Sequence, residues 1–148
     1  MKTTKLFTIL AFLMLSTFAF AVEENALPAL RGYDAISYHT IGRPVMGNGN
    51  HVSEYKGQQY LFINKENKAK FDGNPKRYAP AFGGWCAFGV SVNKKFHADP
   101  LVWEIVKGKL YVNLDNKIKG MWMKDISGNI SKANTNWKKI RNRDSASL

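Results

Sequence analysis

Apolar and polar positions first fall into register around residues 51–63. Tyr60 and Phe62 share one face of a five-residue run, and Leu61 and Ile63 share the other, the period of an extended strand. Residues 51–55 precede it across Lys56-Gly57-Gln58, so the two runs predict a β-hairpin. Asn64 is placed to cap a following helix, with Glu66 in its first turn, and Pro75 ends that helix near Gly73. Residues 102–106 and 109–113 predict a second hairpin across Lys107-Gly108. Beyond it, Ile118, Met121 and Trp122 at helical spacing predict a helix over 115–125, broken by Gly128. Ile130, Ala133, Trp137 and Ile140 predict a last helix over 130–140. Residues 36–39 are short and β-prone, 42–50 read as a loop, and 81–90 read as tight turns wrapped in aromatic rings. No internal repeat or low-complexity block is read. The expected fold is α+β, with two β-hairpins, an intervening helix and C-terminal helices.

The first residues carry a different pattern. Lys2 and Lys5 precede an uncharged apolar run to Phe20, and Ala19-Phe20-Ala21 is followed by Glu23 and Glu24. This is the tripartite form of a secretory signal, with cleavage expected after Ala21. The run is shorter than the roughly 20 apolar residues of a spanning helix, and no transmembrane segment is expected in the mature chain. The expected division is a signal peptide at 1–21, a flexible leader at 22–30, one domain at 31–140 and a polar tail at 141–148. The expected location is the periplasm or the exterior.

Export changes what the charge means. The chain of 148 residues has a formal net charge of +11, and losing Lys2 and Lys5 leaves about +9. In an exported protein, an excess of lysine points away from nucleic acid. It fits an anionic envelope surface, an acidic protein partner or plain solubility. Lys132, Lys138, Lys139, Arg141 and Arg143 concentrate it near the C-terminus. The large aromatics, among them Phe82, Trp85, Phe88, Trp103, Tyr111, Trp122 and Trp137, read as core, with ligand stacking as the sharper alternative.

Candidate chemistry centres on the single cysteine, Cys86. It cannot form an internal disulfide. It is either a thiol used for chemistry or metal ligation, favoured by Gly-rich backbone N–H groups, or a small buried apolar residue between Trp85 and Phe88. His97, His39 and His51 are the histidines. With Cys86 they form a candidate set for Cu(I) or Zn(II), although each alone also reads as a surface or capping residue. Asp34 and Asp99 read as turn or cap residues. The chain has no Gly-x-Ser-x-Gly, His-Glu-x-x-His or Cys-x-x-Cys. These patterns name no reaction.

Tyr55-Lys56-Gly57, Tyr60, Phe62, Asn67, Phe71, Asn74-Pro75 and Tyr78 resemble the YHS domain. The run 32–38, Gly-Tyr-Asp-Ala-Ile-Ser-Tyr, and the run 83–89, Gly-Gly-Trp-Cys-Ala-Phe-Gly, are similar to motifs of an exported branch of that family. Asp99-Pro100, Trp103, Ile105, residues 108–113 and Trp137 extend the likeness over roughly 31–140. The resemblance implies a small treble-clef-related, metal-binding module. The wider family's thiols would fall at Ser37, Ile63, Asn64 and Asn67, none of which is cysteine, so its thiolate site is absent. In the exported branch, the cysteine matching Cys86 is a hallmark, sometimes replaced by selenocysteine. This implies soft-metal ligation or thiol chemistry there. Three readings follow: a module binding a soft metal through Cys86, a thiol-based redox protein using Cys86, or a non-catalytic partner- or envelope-binding domain.

Overall fold

The computed structural model describes residues 27–148, so the expected signal peptide lies outside the described residues. Strands β1 (Asn48–Tyr55) and β2 (Gln58–Phe62) pair antiparallel, with Ser53 opposite Tyr60 and Tyr55 opposite Gln58. Strands β3 (Asp99–Val106) and β4 (Lys109–Asn113) pair in the same manner, with Trp103 opposite Val112 and Val106 opposite Lys109. Both hairpins close on a Lys-Gly pair with positive φ, 52° and 75° at Lys56-Gly57 and 50° and 75° at Lys107-Gly108. Two left-handed residues in a two-residue turn match the twist of the strands they join. The fold is α+β, with these two hairpins and six α-helices among the described residues.

The helices are α1 (Ser37–Thr40), α2 (Lys65–Gly73), α3 (Pro75–Tyr78), α4 (Ala87–Ser91), α5 (Asn116–Met123) and α6 (Ile126–Ile140). Side-chain caps start most of them. Asn64, Asn74, Asp115 and Asp125 accept from Asn67, Arg77, Ile118 and Gly128 backbone N–H groups, satisfying donors that the first turn leaves free.

Several local expectations change. Residues 37–40 are helical rather than extended, because the Asp34 carboxylate takes the Ile36 N–H at 2.7 Å and turns the chain, overriding β propensity. Strand β1 starts at Asn48, inside the expected loop, with a bulge before Val52. Gly128 does not break a helix but lies in the first turn of α6, beneath the Asp125 cap. The expected leader reaches into the fold, since Ala29 and Leu30 are buried in the core. At the other end, Leu148 packs against the second core cluster.

The chain is also built twice over, which the sequence reading missed. Leu30, Arg31 and Gly32 have φ of 54°, 50° and 88°, and Phe82, Gly83 and Gly84 repeat this with 54°, 63° and 84°. Each run leads to an aromatic residue in an isolated bridge, Tyr33 with Met46 and Trp85 with His97. The next N–H then bonds across, Asp34 to Val45 O and Cys86 to Phe96 O. A short helix, a Lys-Gly hairpin and a side-chain-capped helix follow in both halves. Tyr60 stacks on Phe71 at 4.6 Å in the first, and Tyr111 on Trp122 at 5.4 Å in the second. Two buried clusters result, one around Tyr38, Tyr60, Phe62 and Phe71 that also takes Cys86, Ala98, Leu110 and Val112 of the second half, the other around Val90, Tyr111, Trp122 and Ala133. Helix α6 joins the second cluster and packs on α4, where Asn136 Nδ2 donates to the carbonyls of Val90 and Ser91.

Candidate functional site

The repeat explains Asp34 and Cys86 together, since they occupy matching positions. Asp34 is fully buried, and its carboxylate accepts from Ile36 N, from Ile63 N at 3.0 Å and from Asn67 Nδ2 at 2.7 Å. It ties α1 to the end of β2 and to α2. Cys86 is likewise fully buried and caps α4, its sulfur accepting from Gly89 N at 3.4 Å. Backbone N–H groups of Leu114 and Phe88 lie near enough to favour the thiolate, and Asn113 at the end of β4 ties α4 to that hairpin. The thiol lies 3.7 Å from Asn113 Oδ1, which accepts from Phe88 N at 3.1 Å. Burial pushes the Cys86 thiol up from its ordinary pKa, against the lowering effect of those N–H donors. A protonated sulfur closed off from solvent is a poor nucleophile, and its contacts are those of a helix cap.

The expected ligand partners of Cys86 stand apart from it. His97 pairs through its backbone with Trp85, but its ring is exposed and lies on the Trp85 ring at 4.8 Å, while the Cys86 sulfur points inward. His39 sits in α1, edge-on to Tyr78 at 5.3 Å. Its pKa is lowered by burial, then by Arg77 and Lys109. His51 is half-buried on β1. Among the described residues, no three His, Cys, Asp or Glu side chains come together as a metal site.

The positions matching the wider family's thiols are also committed elsewhere. Ser37 Oγ donates to Asp34 O and accepts from Val45 N. Asn64 caps α2, Asn67 donates to Asp34, and Ile63 offers no side-chain donor atom. These residues do not fit a thiolate-bound metal.

The residues that do converge are basic and aromatic. Between the two hairpins lies a cleft of about 730 Å³. Tyr55, Lys56, Gln58 and Tyr60 of the first hairpin form one wall, and Phe82, Gly83, Trp85 and Trp137 form another. Lys76, Lys109 and Arg141 also line it, and no Asp or Glu does. Lys109 begins β4, and its ammonium donates to the Lys76 and Ala79 carbonyls at 2.8 and 2.6 Å, at the C-terminal end of α3. Burial, then the nearby Lys56 and Lys76, bring its pKa down to about 8. Phe82 holds φ of 54° at the cleft wall. That left-handed conformation is uncommon for a bulky residue, and its ring packs edge-on to Trp137 at 5.9 Å.

Residues 36–82 match the family model of the YHS domain. No curated protein and no solved structure matches the chain. The YHS domain spans α1 to the turn at Phe82, which is essentially the first of the two structural halves, and Cys86 lies beyond it. The cleft forms where the YHS domain meets the second half. In the sequence Lys109 stands only at the start of a predicted strand, and Phe82, Trp85 and Trp137 read as core with ligand stacking as the alternative. The missed signal was the repeat: Lys109 stands where the YHS domain has Gln58, and Tyr111 where it has Tyr60.

Proposed function

We propose that this chain is a binding module whose ligand is anionic and sits in the cleft between the YHS domain and the second half. The observation that carries the reading is Lys109, a half-buried ammonium beside Lys56 and Lys76, in a cleft with no carboxylate among its lining residues. A cationic group withdrawn from water beside like charges is disfavoured until an anion joins it. The two carbonyls hold the ammonium in place but supply no neutralising charge. The aromatic walls favour a ligand with a flat or apolar portion beside its charge.

The test is calorimetric titration with benzoate, acetate and inorganic phosphate, on the wild type and on Lys56→Gln/Lys76→Gln. Saturable binding of one equivalent of anion, weakened about tenfold or more in the double variant, supports the reading. Absence of binding, or equal binding by the variant, overturns it.

We further propose that the chain is exported, on the pattern of Lys2, Lys5, the apolar run to Phe20 and Ala19-Phe20-Ala21. An N-terminal sequence beginning at Val22 in protein recovered outside the cytoplasm supports export. Intact protein confined to the cytoplasm refutes it.

A further inference from the structure

A second cleft of about 670 Å³ adjoins the first, and the two share Lys109 and Tyr111. Its walls come from Val106, Met123, Ile126 and Ile130, with Lys107, Lys124 and Ser127 at its rim. One helix runs past both. Ile126, Ser127 and Ile130 of α6 face the second cleft, and Asn134, Trp137 and Arg141 face the first. Ser127, Ile130, Asn134, Trp137 and Arg141 follow one another at helical spacing, so they form a single stripe about 20 Å long. The two clefts are therefore the halves of one trough between α6 and the hairpin faces, cationic and aromatic at one end and mainly apolar at the other. The one carboxylate there, Asp125, is engaged as the cap of α6, accepting from Gly128 N at 2.9 Å, and sits beside Lys124.

We infer that the trough binds an anionic amphiphile, a single long alkyl chain with a carboxylate or phosphate head. The head sits among Lys56, Lys76 and Lys109, and the chain passes Tyr111 to lie along Ile130, Ile126 and Met123. This deepens the anion reading above and rests on it. Charge complementarity sets the orientation, because the end lined by Lys56, Lys76, Lys109 and Arg141 has no acidic lining residue, whereas the lysines that the other end adds, Lys107 and Lys124, share it with Asp125. Met123 and Ile126 are partly exposed at that end, at 43% for Met123, and covering them with an alkyl chain removes apolar surface from water.

The experiment titrates the protein, as recovered from the expressing cell, with hexanoate, decanoate, dodecanoate and dodecyl phosphate below their micelle-forming concentrations. Acetate, inorganic phosphate and dodecyltrimethylammonium serve as comparisons. Affinity is expected to rise roughly tenfold for each two carbons added, while dodecyltrimethylammonium does not compete. Dodecanoate and dodecyl phosphate together report which head is preferred, and tight binding of either supports the inference. Met123→Glu, at an exposed position, is expected to weaken dodecanoate at least tenfold and to leave acetate and phosphate unchanged. Lys56→Gln is expected to weaken all of them. If acetate binds as tightly as dodecanoate, the amphiphile is ruled out and the anion site stands. If dodecyltrimethylammonium binds equally well, or Met123→Glu has no effect, the trough is not an amphiphile site. If no anion binds at all, both readings fall.

Discussion

Replacing Asp34 by Asn is the most demanding test of how the first half is held together. The change keeps the size of the side chain but turns one of its two acceptor oxygens into a donor. Asp34 receives Ile36 N on one oxygen and both Ile63 N and Asn67 Nδ2 on the other, with no exposed surface. If the amide oxygen stays toward Ile63 and Asn67, the new NH2 opposes the Ile36 N–H. If it flips, two donors are opposed instead. A buried donor left without an acceptor costs about 1–3 kcal/mol, and the hydrogen bonds to a charged acceptor that remain are also weakened by about 1 kcal/mol each. The variant is therefore expected to lose about 3–5 kcal/mol, a large part of the stability of a domain this size. Asp115→Asn provides the control. It makes the same chemical change at the exposed cap of α5, where Asn and Asp are nearly equivalent, and is expected to shift stability by less than about 0.5 kcal/mol. Urea unfolding followed by tryptophan fluorescence reads both. Equal losses in the two variants would refute the role given to Asp34, and so would a loss in Asp34→Asn below about 1 kcal/mol.

The other predictions are more local. Cys86 is expected to react with a water-soluble disulfide reagent only as the second half opens, so its rate in folded protein should rise with denaturant; a rate like that of a free thiol would contradict the buried cap. Gly47→Ala should destabilise by about 1–3 kcal/mol, because a Cβ there would come within 2.5 Å of the Leu61 carbonyl. By contrast, Gly57→Ala meets open space and pays only the left-handed φ of 75°, about 1 kcal/mol. The Lys109 pKa is depressed to about 8 in the folded protein, so the unfolded chain binds the extra proton between there and the ordinary lysine value. Stability should therefore rise as pH goes from 8 toward 9.5, while anion affinity falls over the same interval, and both trends should vanish in Lys109→Met. His39, lowered by burial, works at the other end of the scale: the unfolded chain protonates first, so stability is expected to fall as pH drops below 6.5, less steeply in His39→Gln.

Both hairpins and the capped helix α2 could be read from the sequence, because their signals are local: alternation, a Lys-Gly turn, a cap and a proline. Helix α1 could not. Its β-prone residues are turned by one carboxylate at Asp34 whose partners at Ile63 and Asn67 are distant in the chain. The repeat stayed hidden because the two halves keep only what the backbone demands. Asp34 is matched by Cys86 and Phe62 by Asn113, so chemistry diverges where geometry is retained. The same divergence bears on Cys86, which the sequence leaves as either a usable thiol or a small buried residue; its place as the counterpart of a buried carboxylate appears only when the halves are laid side by side. The cleft was beyond reach for the same reason, since Lys56, Lys76, Lys109 and Arg141 come from separate elements.

The paired construction bears on how the molecule comes apart. Each half is tied to the end of its own hairpin, Asp34 to Ile63 and Cys86 to Asn113, so these two ties close within their own halves. Units of this size bury too little surface to persist alone. Because the cluster around Tyr38 and Phe71 also takes Cys86, Leu110 and Val112, the part around Trp122 and Ala133 can open ahead of it but not the reverse. Hydrogen exchange should then sort the amides into two sets, with those of α5 and α6 opening ahead of Ile63, α1 and α2. Because the ligand trough takes a wall from each half, anything bound there would couple the two openings and merge the sets into one.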